Sequence, residues 1–311
     1  MDVVTKFFSA GIPLAATLHI PDTGNEMLVG QVIRRVTPDA AVMSAQYPAV
    51  VLCHGSYRHK DDGLDRYAEV LGTYGIVSLR FDIRGHGEET PFKYRLLPSA
   101  EMAYDLFCAF NYLESFPFVD RSRFGISGVS LGGALSIQMA GSDRRVKSAV
   151  PMASPAGSRH DDMSDRWGKR TAEIMDMLYE DARINAVTGV SRIINREILR
   201  SGEETEASRR VVIDELLWSG NCAYTTLEAV RDMMNLFPLD YAKEITCPTL
   251  IMHGKSDELI PYKNAQLLFD AIPGGVRKEI RLYDGVVHNM PKDENRELIF
   301  KDAAEWFSET L

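Results

Sequence analysis

The stretch RFGISGVSLGG, residues 123–133, decides how the rest of the chain is read. Its first half, Arg123 to Ser127, has strand character, and residues 131–140 carry helical spacing. Between them lies Gly128-Val129-Ser130-Leu131-Gly132, a G-x-S-x-G at the junction of strand and helix, followed by Gly133. A strand that turns straight into a helix forces its corner residue into strained backbone geometry and leaves room only for small neighbours. The turn lifts the serine hydroxyl above the sheet edge and aims the helix N-terminus at it. Ser127 and Ser191 do not complete the pattern, because neither has a glycine two positions after it.

A serine hydroxyl needs a base to take its proton. Of the seven histidines, His288 is placed for that role, in the loop Asp284 to Asn289 between the last strand and the last helix. The base needs an orienting acid. Asp257 follows the strand at 248–253 and gives the chain order Ser…Asp…His expected of such a scaffold; Glu258 and Asp284 stand as alternatives. The oxyanion donors are then the backbone N–H of Leu131 and one from His54-Gly55-Ser56-Tyr57, with Ser56 the first choice and Tyr57 the second.

Working outward, short apolar runs at 49–53, 76–81, 146–152, 248–253 and 279–283 alternate with helical patterns at 65–74, 99–115, 262–272 and 294–309. FFSA and LAATLHI, turned at Gly11, add two strands at the start. This alternation implies an α/β fold, a mostly parallel central sheet with helices on both faces. From Ser154 to about Asp240 there is no strong strand, so residues 1–153 and 241–311 are expected to form the core and 154–240 an inserted helical cap. Met175, Met177, Met233, Met234, Trp218 and Phe237 supply the cap's apolar faces; they pack it onto the core or line an apolar pocket, with Trp218 and Met233 the candidate substrate contacts. Tyr57 and Arg58, just past the oxyanion loop, are further candidates.

The chain has 311 residues, 45% apolar and 25% charged, with a net charge of −9. That sign argues against a nucleic acid or an anionic membrane surface as partner. The four cysteines form no CxxC pair or zinc spacing and read as reduced thiols in a cytoplasmic protein. His160, Asp161, Asp162 and Asp165 read as a solvated loop, not a metal site, and Asp82, Arg84 and His86 as a structural cluster at a strand tip.

The segments HGS at 54–56, RFDIRGHGE at 80–88, VDRSRFGISGVSLGG at 119–133, PTLIMHGKSDELIP at 248–261 and DGVVH at 284–288 together resemble the α/β-hydrolase superfamily. The similarity is to its serine aminopeptidase-like and feruloyl or cinnamoyl esterase-like branch. The resemblance implies Ser130 as nucleophile, Asp257 as acid, His288 as base and Ser56 as the second oxyanion donor, where many members carry a large apolar residue. It implies a serine hydrolase that needs no cofactor or metal and cleaves a carboxylic ester with a hydrophobic or aromatic part. A peptidase or amidase, an acyltransferase and a carbon–carbon bond hydrolase would use the same groups, and a homodimer is left open.

Overall fold

The computed structural model describes residues 1–21, 46–87, 99–157, 168–195 and 224–311. Trp218, Cys222 and the His160–Asp165 cluster therefore lie outside the described residues. Strands β1 (Asp2–Ser9) and β2 (Ile12–His19) form an antiparallel hairpin in which Ser9 faces Ile12. Its two loop residues, Ala10 and Gly11, both have positive φ, 49° and 81°, the tight turn whose twist matches that of the strands. The chain then alternates as its apolar runs predict. It passes through β3 (Tyr47–Cys53), α1 (Leu64–Thr73), β4 (Val77–Phe81), α2 (Ser99–Glu114), β5 (Val119–Val129), α3 (Leu131–Ser142) and β6 (Val146–Met152). After the middle segment come β9 (Thr249–Gly254), α7 (Lys263–Ala271), β10 (Lys278–Tyr283) and α8 (Arg296–Thr310).

These strands make an eight-stranded sheet in the order β1-β2-β4-β3-β5-β6-β9-β10. β1, β2 and β4 pair antiparallel; every later neighbour is parallel. Strand periodicity sends alternate residues to opposite faces. Ala49, Val51 and Cys53 of β3 enter one apolar cluster with Leu106 and Phe110 of α2 and Leu135 of α3. Val50 and Leu52 enter a second with Tyr67 and Leu71 of α1 and Phe300, Trp306 and Phe307 of α8. Both faces are thus covered, which is why the central strands read as continuous apolar runs.

The middle segment is helical in its described parts, with α4 (Thr171–Thr188), α5 (Leu227–Met233) and α6 (Pro238–Ala242). It also contains a two-stranded antiparallel pair that the periodicity does not announce, β7 (Ile193–Asn195) with β8 (Tyr224–Thr226). Three-residue strands are too short to show an alternation. Ile174, Leu178, Ile194, Leu227 and Val230 close a small apolar cluster of their own, with Met175, Met177 and Met234 packed around it. Met233 packs instead against the larger core cluster.

Candidate active site

Ser130 stands between β5 and α3 with φ 57° and ψ −115°, a backbone conformation that a residue with a Cβ occupies only under constraint. The constraint is visible in its neighbours. A methyl on Gly128 would lie 2.8 Å from the Cys53 side chain, and one on Gly132 would lie 2.7 Å from the His54 carbonyl oxygen. One on Gly133 would meet the Met152 carbonyl oxygen at 2.8 Å. The glycines let α3 start hard against the ends of β3 and β6, and the Ser130 N–H donates to the Met152 carbonyl at 2.9 Å. Leu131 is the first residue of α3, so its N–H belongs to the unpaired first turn of a helix.

The loop after β3 lies against this corner, where a methyl on Gly55 would come 3.5 Å from the Ser130 Cβ. His54 shapes the loop from inside. It is buried, its Nδ1–H donates to the Gly55 carbonyl at 2.8 Å, and its Nε2 accepts the Ile83 N–H at 3.1 Å. Burial pushes its pKa down to about 4, so the imidazole is neutral. The His86 ring packs on it with centroids 4.9 Å apart, and burial takes His86 down to about 3. Asp82 accepts the Lys60 N–H at 2.7 Å, and the Arg84 guanidinium pairs with buried Asp105 at 2.6 Å. The cluster at the tip of β4 thus braces the loop after β3.

Ser56 is half-buried in that loop. Tyr57 has φ 61° and is buried, and its hydroxyl bonds to Thr225 Oγ1 of β8 at 2.7 Å. Arg58 pairs with buried Asp62 at 3.0 Å, and Asp62 also pairs with Lys292 beyond His288. The loop is therefore tied on one side to the middle segment and on the other to the histidine loop.

Asp257 and His288 follow neighbouring strands, β9 and β10. Asp257 Oδ2 accepts from His288 Nδ1 at 2.7 Å; the carboxylate is fully buried and the imidazole half-buried. The other oxygen, Oδ1, accepts the N–H groups of Leu259 and Ile260 at 2.9 and 2.8 Å. Burial alone would raise the acid's pKa, but the hydrogen bonds from His253, His288 and the backbone outweigh it and hold the carboxyl well below its ordinary range. Of the alternative acids, Glu258 is exposed and Asp284 pairs with Lys255 at 2.8 Å on the surface.

Sequence reasoning passed over three contributors: Thr225, Asp62 as a link between two loops, and His253, whose Nε2 lies 3.1 Å from Asp257 Oδ2. Only His253 left a trace, as a polar residue ending a buried strand just before the acid. Among the described residues no group of three or more His, Cys, Asp or Glu side chains could hold a metal ion. No described helix is long and apolar enough to cross a membrane.

Residues 45–295 match the family described as serine aminopeptidase, S33. A monoacylglycerol lipase of Mycolicibacterium smegmatis is 23% identical over 262 residues, covering 83% of this chain and 86% of that protein. Among solved structures, DcsB in complex with its substrate analogue superposes with a TM-score of 0.77 at 17% identity, covering 100% of this chain and 99% of that one. Est1E from Butyrivibrio proteoclasticus with ferulic acid bound gives 0.64 at 19% identity, covering 98% of each.

Proposed function

Since the chain belongs to the serine aminopeptidase S33 family and has the α/β-hydrolase fold, we propose that it is a serine hydrolase that cleaves a carboxylic ester through an acyl-enzyme on Ser130. The observation that carries this reading is the pairing of His288 with the buried Asp257 carboxylate. A carboxylate that accepts from Nδ1 fixes the imidazole as the Nδ1–H tautomer, so Nε2 holds the free lone pair. His288 Nε2 takes the Ser130 proton as Oγ bonds to the ester carbonyl carbon. The negative charge passes to the carbonyl oxygen, which the N–H groups of Ser56 and Leu131 receive. Collapse breaks the bond to the alcohol oxygen, and that oxygen leaves with the proton from His288. Water then repeats the steps on the acyl-enzyme, releasing the acid and restoring the serine.

An ester with an apolar or aromatic part is favoured by the relatives, one a monoacylglycerol lipase and one with ferulic acid bound. The test is intact mass after exposure to a fluorophosphonate, on wild type and Ser130→Ala, beside hydrolysis of a panel of esters, amides and thioesters. A single adduct on wild type, none on the variant and an ester rate lowered by at least about 10³-fold are expected. An adduct on Ser130→Ala, or none on folded wild type, would refute the assignment. Faster turnover of amides or thioesters would replace the substrate class.

A further inference from the structure

His253 ends the apolar run of β9, after Leu250, Ile251 and Met252, and its side chain is fully buried. Its Nε2 faces two acceptors, Asp257 Oδ2 at 3.1 Å and the Ile260 carbonyl at 2.9 Å. Two acceptors cannot bond to a bare lone pair, so Nε2 carries the hydrogen and shares it between them. Nδ1 has no hydrogen-bond partner. An apolar side chain would fill this place in the strand without burying an unpaired nitrogen, which costs free energy. The imidazole therefore has a use beyond packing, and its geometry shows where. Two histidines converge on one oxygen of one carboxylate, His288 at 2.7 Å and His253 at 3.1 Å, while the backbone holds the other oxygen.

We propose that His253 is a positioning residue of the triad: by donating to the same Oδ2 that accepts from His288, it fixes where that oxygen points and limits how strongly it holds the His288 proton. This rests on the reading of Ser130, Asp257 and His288 as the reacting groups. The bond to the Ile260 carbonyl also closes residues 254–260 into a loop around the acid, so His253 sets the carboxylate's place as well as its charge distribution. The other charged groups nearby are held elsewhere. Lys255 and Asp284 pair with each other, Glu258 is exposed, Asp293 accepts the Val287 N–H at 3.2 Å, and Asp62 is taken up by Arg58 and Lys292.

The experiment measures the rate of fluorophosphonate labelling at Ser130 against pH, by intact mass, for wild type and three variants. His253→Leu removes the donor. His253→Gln places an amide N–H at the reach of Nε2, and His253→Asn places one short of it. Without the second donor, Oδ2 gives its full charge to His288, the imidazolium is favoured, and the unprotonated base persists only at higher pH. In the Leu and Asn variants the labelling rate at neutral pH is expected to fall about tenfold and the acid limb to move to higher pH; the Gln variant should restore both. Comparing Gln with Asn keeps the test decisive if the Leu variant does not fold. An acid limb that stays put in the Asn variant, whatever its amplitude, or a Gln variant no better than Asn, would reduce His253 to a packing residue. Absence of labelling in folded wild type would instead bring down the triad reading itself.

Discussion

Ser130 carries its strained backbone because three glycines leave it no clash to relieve and no room to relax. Such strain costs of order 1–3 kcal/mol and persists only where the surroundings over-determine it. Gly132 is the sharpest case, since any side chain there must displace the carbonyls of Cys53 and His54. Gly132→Ala is expected to lower stability by about 3 kcal/mol in urea unfolding and to abolish Ser130 labelling. Gly274→Ala, where a methyl meets nothing within 4 Å, should be silent in both. This corner was legible in the sequence because glycine spacing is itself a statement about backbone sterics. The Asp257–His288 contact was legible from two loops after neighbouring strands. His253 showed only as a polar residue closing an apolar run; its contact with the acid was not legible, because its partner reaches it only when residues 254–260 curl back, and no pattern within a strand encodes that return.

At the level of elements, the loop from His54 to Gly63 is where the parts of the site meet. It touches the corner at Ser130, β8 through the Tyr57 hydroxyl, and the histidine loop through Asp62; a methyl on Gly63 would lie 2.8 Å from the Pro291 side chain. Tyr57→Phe and Thr225→Val each remove the same buried hydrogen bond. Each is expected to cost about 1 kcal/mol, with the double variant well short of the sum, as a double-mutant cycle by urea unfolding would show. Additive losses would mean the two hydroxyls act separately. The long strands and helices of the core were readable because each buries a face over several residues. The β7–β8 pair was not, and its hydrogen bond to the loop joins side chains 168 residues apart in sequence.

For the molecule as a whole, the neutral histidines packed under the site make stability depend on pH. His54 and His86 have their pKa values pushed by burial from 6.5 down to about 4 and about 3. The unfolded chain therefore binds protons that the folded chain refuses. The stability these groups confer is complete above about pH 6.5 and is lost as pH falls toward 4 and then 3. For His54 the loss over that window is of order 3 kcal/mol. Asp257, held below its ordinary range, adds a further loss once pH drops under 3.8. Urea midpoints measured from pH 7 to pH 4 should fall steadily, and His54→Asn, which keeps a donor toward Gly55 without titrating, should flatten the slope. An unchanged slope in that variant would mean that His54 takes up its proton over the same pH range in the folded and the unfolded chain.

The large sheet joins its two halves along one thin line. β5 and β6 share six paired positions and β9 and β10 another six, but β6 and β9 are matched at only two, Ala149 with Thr249 and Met152 with Met252. The serine corner hangs from one side of that line, and the acid and the histidine from the other. The whole middle segment enters the chain there as well, between Met152 and Thr249. A genetic crossover anywhere in that interval would cut no ladder inside either half of the large sheet. The interval between Met152 and Thr249 is therefore the place where added or exchanged sequence disturbs the pairing of the large sheet least.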